Sequence, residues 1–320
     1  MNFDELKEGI DGRTMKIGLC DVDGRHFPNL PLMKLSAWHK QRGDSVEWAA
    51  PLSRYDVVYQ AKVFDFTPDC MTLWQAVNVI KGGTGYGLDN KLPDEIEHTY
   101  PDYELYGIRD VSYGFLTRGC PRGCSFCIVG RKEGKKCIKV ADLREFWSGQ
   151  REIKLLDPNI TACEQFEDLM RQLIDSRAYV DFTQGVDIRL MTPEKAKLFQ
   201  QVKFKRIHFA WDNYPDTFTY EQLKKYRPYF GRDRRKLGVY VLTNYNTTLE
   251  QDLDRVYRLR ELDYDPYIMI YDKQHAPKII RQLQRWVNNK IIFRSTRNFE
   301  EFSPTHKIHV DNQCASASLF

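Results

Sequence analysis

The chain reads as an α/β protein: a small α/β unit over residues 1–105, a partial (β/α)6 barrel of the TIM type over 106–290, and a C-terminal extension over 291–320. Three observations predict this. Apolar, strand-like runs alternate with helical stripes throughout. After Ser112 the strand–loop–helix rhythm recurs six times at roughly thirty-residue spacing, as right-handed parallel crossovers do. Six units stop short of the eight that close a full barrel. Finally, the loop after the first of these six strands holds three closely spaced cysteines.

In the first unit, Lys16-Ile-Gly-Leu-Cys20 is a short apolar strand ended by the turn Asp21-Val-Asp-Gly24. Residues Leu30 to Arg42 are predicted helical, with Met33, Leu35, Ala37 and Trp38 offering an apolar face and Gly43 a stop. Val46 to Trp48, Asp56 to Tyr59 and Val63-Phe64 read as strands, and Trp74 to Ile80 as a helix or a strand. The run Gly82-Gly-Thr-Gly-Tyr-Gly87 has no lysine in P-loop register, so a loop bordering the site is expected there. Tyr100-Pro-Asp-Tyr103 then carries the chain across to the second unit.

This order resembles the Rossmann-like cobalamin-binding domain, and Gly82-Gly83 followed by Leu92-Pro-Asp-Glu95 fits the end of such a domain. The lower-ligand motif Asp-x-His-x-x-Gly is absent, since His26 has no glycine three residues on. The resemblance therefore implies the fold, and bound cobalamin is not expected.

In the second unit the expected strands are Val111–Leu116, Glu152–Leu156, Tyr179–Thr183, Arg206–Trp211, Leu237–Leu242 and Pro266–Tyr271. Between them, Cys163 to Arg177 carries the stripe Phe166, Leu169, Met170, Leu173 and Ile174. Thr192-Pro193 opens a helix with proline at its first position. Thr248 with Gln251 makes a capping box for a helix over Leu249 to Leu262 that stops before Pro266.

The cysteines are Cys120, Cys124 and Cys127, spaced C-x3-C-x2-C, with Phe126 just before the third. Structural zinc wants four ligands in paired spacings, and no histidine follows until His208. A disulfide framework does not suit a chain of this length whose start, Met1-Asn-Phe-Asp-Glu-Leu-Lys7, does not read as an export signal. A cubane cluster has four irons, each needing a ligand, so three thiolates leave one iron open to a small molecule.

Spacing and aromatic together resemble the signature of the radical S-adenosylmethionine (radical SAM) superfamily, and the (β/α)6 core agrees with that over about residues 111–290. The resemblance implies a 4Fe–4S cluster on Cys120, Cys124 and Cys127, with S-adenosylmethionine chelated by the open iron. One electron, from a reductant such as flavodoxin or ferredoxin, would cleave the sulfonium to methionine and a 5′-deoxyadenosyl radical that abstracts hydrogen from a substrate.

Ligands of parallel barrels gather at the C-terminal strand ends, which makes Asp157, Asn159, Gln184, Arg189, Asp212 and Asn244 candidates for holding S-adenosylmethionine. Asp212 suits ribose hydroxyls, Arg189 the methionine carboxylate, and Phe126 with the backbone near Leu242 the adenine. The family's usual Gly-Gly-Glu after the second strand is replaced by Leu156-Asp-Pro-Asn159, which leaves the amino-group contact unassigned. Each of these polar residues also suits a plain turn or cap.

With 48 Lys and Arg against 44 Asp and Glu, the net charge of +4 argues for no particular partner. Basic runs lie near 131–139, 203–206, 224–236 and 278–297, the last two with interspersed aromatics, yet a solvated helix face is favoured over nucleic acid there. No apolar run is long enough for a bilayer, so no membrane partner and a cytoplasmic setting are expected. Two other readings remain open: an electron-transfer or sensing protein with Cys137 as fourth ligand, and a nucleic-acid-binding or tRNA-modifying protein. Cys20, Cys70, Cys137, Cys163 and Cys314 are scattered, so no auxiliary cluster is expected.

Overall fold

The computed structural model describes residues 13–24 and 27–302. His26, Cys314 and the extension beyond Phe302 lie outside the described residues.

The first sheet is built from β1 (Lys16–Asp21), β2 (Ser45–Trp48), β3 (Arg54–Ala61) and β4 (Gln75–Gly82), all parallel, in the order β2-β1-β3-β4. Ile17, Leu19, Val57, Tyr59 and Ala61 bury one face against Leu32 and Leu35 of helix α1 (Leu30–Gln41). The Asn29 side chain caps that helix by accepting from Leu32 N at 3.2 Å, with Pro31 in the first turn. At the other end His39, wholly buried, bridges Asp44 at 2.6 Å and the Tyr59 hydroxyl at 2.9 Å, pinning helix to sheet.

Two sequence expectations resolve here. Residues 75–82 form a strand, not a helix, and its strictly alternating half-exposure is that of a sheet edge. Val63-Phe64 is not a strand. The Asp23 carboxylate takes the Val63 and Phe64 N–H groups at 2.9 and 2.8 Å, so these donors never reach a ladder.

The second sheet has six strands: β5 (Val111–Gly114), β8 (Glu152–Leu155), β9 (Tyr179–Gly185), β10 (Phe204–Ala210), β11 (Leu237–Thr243) and β12 (Asp265–Ile270). Each lies parallel to the one before it, in unbroken chain order. After β5 the chain makes a small antiparallel pair, β6 (Thr117–Arg118) with β7 (Ile138–Lys139). Helices α2 (Phe166–Ser176), α3 (Pro193–Gln201), α4 (Thr217–Tyr226), α5 (Leu249–Glu261) and α6 (Lys278–Asn288) connect or follow the later strands. The Thr248–Gln251 capping box forms as expected.

One face of this sheet, with Ile153, Val180, Ile207, Val239 and Ile268, shares a core with Leu169, Leu173, Phe199, Leu223, Val256, Leu259 and Leu283. Phe293 and Phe299 close around Trp286, so the first part of the C-terminal extension belongs to this second core. Tyr103, whose hydroxyl donates to Phe146 O at 2.6 Å, and Tyr106, bonded to Asp21, join the two sheets. Among the described residues no helix is long and apolar enough to cross a membrane.

Candidate functional site

The cysteine loop starts where the β5 ladder stops. Asp157, just beyond β8, accepts from Leu116 N at 3.1 Å and from the N–H and hydroxyl of Thr117. A carboxylate thus stands in for strand carbonyls and turns the chain outward. Burial pushes its pKa up to about 6, although all three donors oppose the shift. The β6–β7 pair closes the base of the loop. Gly119 has a φ of +83°, and a Cβ there would overlap the Lys136 carbonyl, so only glycine fits. Cys120 N donates to Gly134 O at 3.1 Å, and Cys127 N to Cys124 O at 3.0 Å.

All three thiols are partly exposed. Burial raises the Cys124 pKa, Arg189 opposes it, and Cys127, Asp212 and Cys120 add to it. Asn159 reaches the same place, directing its side-chain amide at Cys120 Sγ (3.5 Å) and at Asp187 (3.4 Å).

Asp187 gathers cations. It accepts from Arg122 of the cysteine loop and from Arg189 Nε at 2.8 Å. These guanidinium groups, Arg189 foremost, hold its carboxyl below the usual range against the effect of burial. Arg189 also reaches Asp216, the α4 cap residue, at 3.4 Å. Its guanidinium is thus already engaged by two protein carboxylates.

Asp212 accepts from Leu242 N at 3.2 Å, and burial lifts its pKa to about 6, with Arg255 and Arg189 opposing. The Leu242 carbonyl accepts from Arg255, so the backbone of Leu242 is satisfied on both sides. Asn244 adopts a φ of +61° and donates to Tyr271 O at 2.8 Å, tying the end of β11 to that of β12. Gln184 sits exposed in a register shift between β9 and β10. His208 fills that gap, its Nδ1 meeting Phe182 O at 2.9 Å. Such a bulge re-aims the side chains beside it.

Phe126 meets Tyr245 edge-on at 5.5 Å, and Tyr245 meets Tyr271 at 4.9 Å. Ser125 Oγ is 2.6 Å from the Tyr245 hydroxyl, so the cysteine loop rests on aromatics from the ends of β11 and β12. Lys132, just after the loop, bonds Thr84 of the glycine-rich run.

Arg122, Ser125 and Arg255 were not foreseen. Arg255 left a trace in the sequence: a cation on the buried stripe of α5, three residues after an aspartate on the same stripe. Cys137 lies beside Cys163, with its thiol donating to Asn159 O at 3.2 Å. A depression of about 410 Å³ behind the β6–β7 pair is lined by Lys136, Cys137, Lys139 and Glu164, not by the three thiols.

The donor chemistry suits a cluster: three thiols on one loop, two glycines at positive φ (Gly119 and Gly123) to let it close, and cationic groups nearby. The thiols do not already stand as a ligand set. Among the described residues no group of three or more His, Cys, Asp or Glu is placed to hold a metal ion. No protein-family model matches the chain, and no curated protein matches it.

Proposed function

We propose that this chain is a radical S-adenosylmethionine enzyme whose second unit is a partial (β/α)6 barrel. The observation that carries the reading is that the three-cysteine loop meets the strand ends: Asn159 donates to Cys120 Sγ, Arg122 to Asp187, and Ser125 and Phe126 meet Tyr245. Strand order supports it, because six parallel strands in unbroken sequence bring their C-terminal loops to one end.

Cys120, Cys124 and Cys127 would hold a 4Fe–4S cluster, which when bound supplies an electron to the sulfonium of S-adenosylmethionine. The chain's own residues have distinct parts. Asn159 donates to Cys120 Sγ, and a donor on a ligating sulfur raises a cluster's potential. Arg189, beside Cys124, favours its thiolate. Asp212 keeps one carboxylate oxygen on Leu242 N, and at neutral pH the other can accept a hydroxyl hydrogen. Asp157 positions the loop rather than touching a ligand, because its oxygens are committed to Leu116 and Thr117. Phe126 and Tyr245 would offer an aromatic wall on one flank. A cytoplasmic setting and a flavodoxin- or ferredoxin-type reductant belong to the same reading.

Anaerobic reconstitution with iron and sulfide, then reduction, tests it by electron paramagnetic resonance with and without S-adenosylmethionine. A signal altered by S-adenosylmethionine, with 5′-deoxyadenosine as product and both lost in Cys124→Ala, is expected. A cluster indifferent to S-adenosylmethionine overturns the proposal.

A further inference from the structure

We propose that Cys20 and Cys70 form an oxidisable dithiol at the C-terminal edge of the first sheet, closed to a disulfide by hydroperoxide. The pair lies in the other unit from the cysteine loop, so it does not depend on a cluster being bound there.

The placement follows from ladder register and a polar network. Cys20, near the end of β1, lies directly opposite Gln60 of β3. Gln60 is buried at 2% exposure, and its side chain accepts from Trp74 Nε1 at 3.1 Å and donates to Asp69 Oδ1 at 2.8 Å. Asp69 also takes the Cys70 N–H at 2.9 Å, the Lys81 ammonium at 2.7 Å and the Tyr86 hydroxyl. Gln60, Lys81 and Tyr86 thus hold segment 62–74 at the ends of β1 and β3. Cys70 arrives beside Cys20, close enough for each thiol to bear on the other's charge. Both cysteines are partly exposed. In an open parallel sheet the strand order turns back between β1 and β3, and ligands approach at such a crevice.

The two sulfurs are chemically unequal. Burial works against the Cys70 thiolate, but the neighbouring Thr72 and Cys20 favour it, and its pKa ends below the ordinary value. Burial, reinforced by Cys70, pushes Cys20 up to about 12. Cys70 is therefore the attacking thiolate and Cys20 the resolving thiol. Cys70 Sγ displaces hydroxide from hydrogen peroxide as the O–O bond breaks, giving a sulfenic acid. Cys20 Sγ then attacks that sulfur, its proton leaves with the hydroxyl as water, and the S–S bond forms. Two thiols are oxidised and one peroxide is reduced to two waters.

The test uses the full chain, reduced and free of iron, exposed to hydrogen peroxide, alkylated and digested with trypsin. The expected product is peptide 17–25 linked to peptide 63–81, lighter by two hydrogens than the separate pair. In Cys20→Ser a sulfenic acid should persist at Cys70 and be trapped by dimedone, and in Cys70→Ser Cys20 should stay alkylatable. Cys20 and Cys70 both alkylated after peroxide, or Cys70 linked to any other cysteine, overturns the proposal. The wild-type peptide map decides this even if a serine variant folds poorly.

Discussion

Arg255 and Asp252 form an ion pair at 2.6 Å with both side chains wholly buried. The same guanidinium donates at 2.7 Å to Trp211 O and at 2.7 Å to Leu242 O, and so ties the C-terminal ends of β10 and β11 together. Both strands deliver residues to the candidate site, Asp212 from one and Asn244 from the other.

Arg255→Met leaves the Asp252 charge buried and frees two carbonyls, which should cost about 3–5 kcal/mol. Urea unfolding measures it. Removing the charge of Asp252 as well should restore part of the loss, because a buried unpaired carboxylate is the larger part of the damage. A single-variant cost below about 1 kcal/mol would show that the tie does not hold the strand ends.

His208 should give the protein a distinct acid sensitivity. Burial lowers its pKa from 6.5 to about 4, with the Phe182 carbonyl opposing. The folded chain keeps this ring neutral while the unfolded chain takes up a proton below about 6.5. Stability contributed above that pH is therefore lost as pH falls from about 6.5 towards 4, by roughly 3 kcal/mol in full. Wild type and His208→Gln, unfolded in urea at pH 7 and pH 4.5, should converge by most of that amount. Parallel pH slopes would mean that the ring is not buried neutral.

Gly119→Ala should uncouple the cysteine loop from an otherwise intact fold. The substitution adds strain at a φ of +83° and drives a methyl into Lys136 O, for roughly 1–3 kcal/mol. Circular dichroism should be unchanged, while iron and sulfide retained after reconstitution fall well below wild type. Normal retention would show that the loop closes by another route.

Asp157→Asn keeps the shape but replaces an acceptor oxygen with an amide donor facing N–H groups. A loss of about 1–3 kcal/mol is expected locally. Hydrogen exchange should read it as faster exchange at Leu116 and Thr117, with Val180 and Val239 in the sheet unaffected. Unchanged protection at Leu116 would remove Asp157 from its anchoring part.

Local physics made much of this legible in advance. The α1 stop, the proline start of α3 and the Thr248–Gln251 box are short-range rules, and the structure obeys them. The six strands of the second sheet fell where apolar runs put them. Val63-Phe64 failed because an apolar pair is no strand once a distant carboxylate, Asp23, takes its N–H groups. Trp74 to Ile80 stayed ambiguous because edge strands and short helices share half-exposed patterns.

The sequence by itself determined the α/β class, the parallel rhythm and the three-cysteine loop, because each depends on spacing within a few residues. Tertiary structure alone decided which strand-end residues meet the thiols and which are consumed by the protein. Arg189 is held by Asp187 and Asp216, Asp157 by Leu116 and Thr117, and Cys70 is brought to Cys20 across forty-nine intervening positions. Hydrogen bonds and charges act through space at a few ångströms, and their partners carry no mark of one another along the chain.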